Sequence, residues 1–346
     1  MQETGRLGRF SFYLFILFLV FSSWGFNYQD YPETEMSSLM KRGIDNLINQ
    51  EFDKAAEDFE KVNKHFPLNP IGKIFLAANE IARSYDQASE YNSDFILSNL
   101  NKAIDQAEEL VDKDKNNVWN VFVLALAEGH YAYFKGLDGN WLSAFSNGLN
   151  SVSDFEKCIK IDSTFYDAYT AIGAYKYWKS RKTEAASWLP FIDDERIEGI
   201  RMLEKALAQS SPYSSYMAAY TLQWIYIDRR EYKNAIRISE DITKKYPNSR
   251  FFKWGYARAY EDVEPAKSIE LYKWLLHSYM NDDNVVQVIT LKHIIAQQYY
   301  KINDIKSTLS YCNEILSYKG FTEFQTDKLE DRLERVKALR DSLSKK

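Results

Sequence analysis

The sequence predicts an all-α fold, a solenoid of stacked helix pairs, on three observations. Glycine and proline are scarce, 13 and 7 residues of 346, as a mostly helical chain requires. One grid of large, small and closing residues recurs from about residue 36 onward. The last stretch, Lys328 to Leu343, sets Leu329, Leu333, Val336, Leu339 and Leu343 on one helical face, with charge on the other.

The grid is clearest over residues 216–249, where Leu222, Tyr226, Tyr232, Ala235 and Pro247 mark it. Ala235 is small, so a paired first helix can approach closely. Tyr226 and Tyr232 fill the space on either side. Pro247 lacks an N–H and closes the unit before Arg250 opens the next. These residues at these spacings resemble the tetratricopeptide repeat, a helix–turn–helix unit of about 34 residues. The resemblance implies a right-handed α-solenoid. A lone helix pair cannot bury its apolar face, so neighbours must stack and stability becomes a sum of local interfaces.

The elements follow in order. Residues 1–25 read as a signal peptide or membrane anchor: Arg6 and Arg9 precede an apolar run from Phe12 to Phe21, and Ser23 and Gly25 offer a cleavage site. Left uncleaved, residues 10–26 would serve as a short anchor. Residues 26–35 are a linker, and the repeat array is expected over 36–321. Its first unit, 36–69, carries Gly43, Phe52, Ala55, Phe59 and Pro67. Residues 71–117 hold two more helices, with a linker around Asp86 to Asp94 longer than the grid allows.

From about Trp119 to Phe134 a helix is apolar over most of its circumference, which predicts burial. A turn of Gly136, Asp138, Gly139 and Asn140 leads into a long helix through Phe155, Cys158 and Ile161. The next unit starts near Tyr166 and carries an insertion between Ser180 and Asp194, with Trp188, Leu189, Pro190 and Phe191. Asp193 or Asp194 is expected to cap the helix of Ile197, Ile200, Leu203 and Ala206. Units at 250–283 and 289–321 follow, and residues 322–346 form a C-terminal capping helix and tail.

Composition narrows the function classes. The net charge is −5 and no basic run stands out, so an electrostatic footprint for nucleic acid is lacking. Cys158 and Cys312 are expected as buried free thiols, and two cysteines make neither a disulfide framework nor a metal set. His65, His130, His277 and His293 are too scattered for metal-ligand spacing. His130, in the most apolar helix, is expected as a core histidine. No glycine-rich phosphate loop, nucleophile elbow or paired catalytic motif occurs, and acidic pairs such as Asp282–Asp283 read as caps or solvated loops. The expectation is a protein with no catalytic residue, no metal and no cofactor.

The resemblance also implies where binding would occur, because first helices of such repeats line a concave surface. Carried over by position, that surface takes Asp167, Tyr177 and Trp178 in one unit, then Met217, Tyr220, Trp224 and Asp228, then Phe251, Trp254 and Arg258. His293, Gln297 and Tyr300 follow in the last unit. Aromatics with a few charges match the composition of binding hot spots; packing between helices explains Trp224 and Trp254 equally well and Tyr220 better. The expected function is a cell-envelope scaffold holding a peptide or protein, with membrane association through the N-terminal segment. The alternative is a small-molecule or glycan binder, or an enzyme, using the aromatic insertions near Trp141 and Trp188.

Overall fold

A computed structural model describes residue 31 and residues 33–184, 193–280 and 284–344. The signal segment, Trp188 and the Asp282–Asp283 pair lie outside the described residues. Among those described there is no strand, and fifteen helices form seven antiparallel pairs and a closing helix. The pairs are α1 Thr34–Ile48 with α2 Phe52–His65, α3 Ile71–Gln87 with α4 Ser93–Lys113, and α5 Val118–Leu137 with α6 Trp141–Ile161. Then come α7 Asp167–Lys182 with α8 Arg196–Gln209, α9 Pro212–Asp228 with α10 Tyr232–Lys245, and α11 Arg250–Tyr260 with α12 Pro265–Met280. The last pair is α13 Val285–Lys301 with α14 Ile305–Ser317, and α15 Glu323–Leu343 closes the stack.

The repeat shows in its turns as well as its helices. In the first, fifth and seventh pairs the first helix ends two residues before a left-handed residue. These are Gln50, Arg230 and Asn303, with φ of 61°, 58° and 61°. Each turn closes with the same backbone bond, from Glu51 N–H to Asn46 O, Glu231 N–H to Tyr226 O, and Asp304 N–H to Tyr299 O. These are Schellman closures, which satisfy carbonyls that the helix end would otherwise leave bare. Ala88 and Gly139 occupy the equivalent left-handed place in the second and third pairs.

Small residues sit where helices come closest. A Cβ on Gly173 of α7 would lie 2.7 Å from the Gly199 carbonyl oxygen on α8, and a Cβ on Gly199 would lie 2.6 Å from the Gly173 carbonyl oxygen. Only glycine at both positions lets these backbones pass. Ala235 is fully buried, as its place on the grid requires. Leu329, Val336 and Leu343 of α15 are buried, with Leu333 and Leu339 packed partly against Ile289, Ala296, Cys312 and Ile315. That is the apolar face read from the sequence.

Several boundaries differ from the expectation. α9 opens at Pro212, a turn before Tyr216, since proline suits a first helical turn. α13 opens at Val285 because the Asn284 side chain accepts from Gln287 N–H. α15 opens at Glu323 through a capping box between Thr322 and Gln325. Neither Asp193 nor Asp194 is the N-cap of α8. Glu195 holds that position without a side-chain capping bond, its carboxylate pairing with Lys176 and Lys179, while the Asp194 carboxylate accepts from the Arg196 N–H at 3.1 Å and pairs with its guanidinium. Cys158 and Cys312 are free, buried and in separate clusters, and burial pushes the Cys158 thiol up to about 12. His130 lies against Phe75, and burial lowers it to about 4.

The array does not stay open. α1 contacts α9, eight helices later, and one apolar cluster joins Met36, Ile44 and Ile48 to Tyr216, Leu222 and Phe252. The Tyr246 hydroxyl donates to Asp45 at 2.7 Å, the Ser249 hydroxyl to the Ile48 carbonyl at 2.7 Å, and the Arg250 N–H to the Gln50 side chain at 2.8 Å. A second seam joins the end of α3 to α11, α12 and α13 through Asp86 and Gln87. The turn edge of the first two pairs thus meets the junctions flanking the sixth.

Candidate functional site

The closure seam encloses a cavity of about 280 Å³. Its walls come from the first pair (Leu47, Gln50, Phe52), the end of α3 (Tyr85, Asp86), and the later first helices through Tyr220, Trp224, Phe251 and Trp254. Ala82, Tyr279, Gln287 and Thr290 complete it. Tyr220 stacks on Phe251 with centroids 4.0 Å apart and an 18° tilt, which fixes one wall.

Its polar groups form a chain. The Trp254 indole N–H donates to the Tyr279 hydroxyl at 3.2 Å, and that hydroxyl donates to Asp86 at 2.7 Å. Arg250 pairs with the same carboxylate, its Nε at 3.1 Å, and lies over the Tyr279 ring at 4.4 Å. Burial, reinforced by Asp86, raises the Tyr279 hydroxyl above the ordinary phenol range. Asp86 is the only carboxylate among the described lining residues, and it is fully engaged. The Trp224 indole N–H is buried with the Tyr220 hydroxyl as the acceptor beside it. Burial, then the neighbouring Tyr85 and Tyr133, raise that hydroxyl, and the Trp224 N–H opposes the rise. An aromatic box of this kind can hold an apolar group.

Of the residues assigned to the concave surface, Tyr220, Trp224, Phe251 and Trp254 converge here. The others do not. Asp167 is buried and accepts from the Ser211 N–H at 3.1 Å and from the Ser211 hydroxyl, so it ties α7 to the start of α9. Burial raises its carboxyl and the bonds from Ser211 and Ser214 oppose that. Tyr177 is fully buried and donates to Asp228 at 2.6 Å, where Arg181 also binds at 3.0 Å. Trp178 packs edge-on against Tyr177 with centroids 5.0 Å apart. Arg258 is paired to Glu261, and Tyr300 is exposed away from the cavity. His293 is buried and accepts from Arg332; burial, then the charges of Arg332 and Arg335, lower it to about 4.

Phe52, Tyr85, Asp86, Arg250 and Tyr279 were not expected at a site from the sequence. The long linker after Asp86 is the one local sign that the second pair departs from the grid. The contacts themselves link residues 164 to 201 apart, which no periodicity encodes.

The chain is an all-α solenoid of stacked helix pairs. No family model matches it, and no curated protein does. Among solved structures it is similar to a thermophilic TPR protein of Thermus thermophilus, at 15% identity and a TM-score of 0.41, over 65% of this chain and 98% of that one. Among the described residues no helix is long and apolar enough to cross a membrane.

Proposed function

We propose that the protein is a non-enzymatic binding scaffold of the cell envelope that holds a partner protein by one apolar or aromatic anchor seated in the closed cavity. The convergence of Tyr220, Trp224 and Trp254 on one aromatic-lined space carries this reading. Repeat arrays of this kind suit protein interaction. The bonds of Tyr246, Ser249 and Arg250 across the seam favour a single inserted group over a strand laid along a groove. The envelope assignment and the membrane association rest on the apolar run of residues 10–26.

A photo-crosslinking residue at Trp254, with one at Arg258 as control, tests the reading in cells. A protein adduct from position 254 and none from 258 is expected. The enclosed cavity favours one second reading, a small-molecule or glycan site. An adduct of low mass only, with no protein attached, would give the cavity to that reading. Fusing residues 1–30 to a reporter active only after export tests the location, and a reporter left in the cytoplasm would refute it.

A further inference from the structure

The α5–α6 hairpin carries an apolar face that the stack leaves uncovered. None of the first ten residues of α6, 141–150, is buried. Trp141, Leu142 and Phe145 are 71%, 88% and 70% exposed, with Leu149 and Leu137 also exposed. Positions 141, 142, 145 and 149 fall within one helical face. The tip is firmly built: Gly139 takes the left-handed turn, the Asn140 side chain caps α6 by accepting from Ser143 N–H, and Trp141 lies beside Gly136. These side chains are therefore held outward by an ordered turn.

The charge pattern selects what they meet. Residues 139–153 contain no Asp, Glu, Lys or Arg, in a chain that is 27% charged. With Asp138, exposed in the turn, left at headgroup level, an uncharged helix start with Trp and Phe foremost can enter the interfacial layer of a bilayer without desolvating an ion of its own. The length of chain preceding the fold agrees. Tyr31 packs on Trp119 at the base of α5, with centroids 4.7 Å apart. From Trp119 to the tip α5 extends roughly 27 Å, and the ten residue steps from Tyr31 back to Phe21 span up to about 33 Å. The apolar run of residues 12–21 and the hairpin tip can therefore occupy one membrane together.

We infer that the tip of the α5–α6 hairpin, through Trp141, Leu142 and Phe145, inserts into the interfacial layer of a lipid bilayer. The test uses the full chain with an environment-sensitive fluorophore on Leu142→Cys, and on Lys115→Cys at the opposite end of α5 as control. Cys158 and Cys312 are buried and leave the new thiol as the reactive one. With phosphatidylcholine–phosphatidylglycerol vesicles, the label at 142 should shift to the blue, lose quenching by aqueous iodide and gain quenching by bilayer-borne nitroxide. The label at 115 should do none of these. Vesicle binding with no change at 142 would overturn the inference, since the N-terminal run alone would then hold the membrane. A blue shift at 142 that needs no lipid and grows with protein concentration would also overturn it, and would assign the face to a second copy of the chain.

Discussion

Arg250, the first residue of α11, closes an ion pair with Asp86 at the end of α3, although 164 residues separate them. Both side chains are nearly withdrawn from water, 13% and 12% exposed, and the Tyr279 hydroxyl shares the carboxylate. The pair fixes one wall of the cavity and fastens the second helix pair to the sixth.

Asp86→Ala removes a nearly buried carboxylate that both Arg250 and Tyr279 use, and should destabilise the protein by about 3–5 kcal/mol in urea unfolding. Asp86→Ala combined with Arg250→Met removes both charges and should recover part of that loss. Equal instability of the single and double variants would show that the charge pairing is not what matters there.

The repeated turn gives a prediction of opposite sign. Arg230 is exposed and left-handed at φ 58°, a conformation unfavourable for a side chain with a Cβ. Arg230→Gly should stabilise by about 1 kcal/mol in thermal or urea unfolding, the relief exceeding the extra entropy glycine loses on folding. Arg230→Val should destabilise, because a branched Cβ fits that region worst.

What the sequence made legible divides along these lines. Ala235, the face of α15 and the pairing of α9 with α10 depend on residues within one or two units, and their spacing was readable. The closure depends on Asp45, Asp86 and Gln50 meeting residues about 200 positions away, and nothing in a local period marks an aspartate as a cross-array acceptor. Tyr177 and Asp167 occupied groove positions by count but are buried, because the first helices of adjacent pairs press together where an open surface was expected. For the cavity, position in the repeat found the later aromatics and missed the wall supplied by the first two pairs.

Glu128 makes stability depend on pH. It is buried in α5, and burial, then Asp154, raise its carboxyl from 4.5 to about 7, with Glu108 adding and Lys157 opposing. The native state thus holds this proton more tightly than the unfolded chain. Its contribution is fully present below pH about 4.5 and is lost as pH rises through about 7. Glu128→Gln should remove that slope and leave the variant more stable than wild type above pH 7, by on the order of 2–3 kcal/mol. Urea unfolding at pH 5 and pH 8 checks it, and an unchanged difference between the two would contradict it.

Ala235 and Trp224 separate packing from binding within one repeat. Ala235 is wholly buried, so Ala235→Leu should overpack the seam and cost about 1–3 kcal/mol. Trp224 borders the cavity, so Trp224→Ala should cost less than the ~3–5 kcal/mol of a core aromatic. The same change should weaken capture of a crosslinked partner by ~2 kcal/mol or more. Melting temperatures and partner titration, read side by side, distinguish the two roles. A Trp224→Ala variant that melts as early as Ala235→Leu would make the indole a packing residue.

The most direct test of the central claim, that the array folds back and closes the cavity, is a double-mutant cycle on Asp45 and Tyr246. The hydroxyl of Tyr246 meets the Asp45 carboxylate at 2.7 Å across 201 residues, a contact that exists only if the first helix pair reaches the junction after the fifth. Asp45→Ala, Tyr246→Phe and the double variant are compared by urea unfolding. Closure predicts a coupling of about 1 kcal/mol or more, as for a hydrogen bond to a charged group. Additivity within about 0.3–0.5 kcal/mol, the behaviour of sites far apart, would mean that the array stays open and the cavity does not exist.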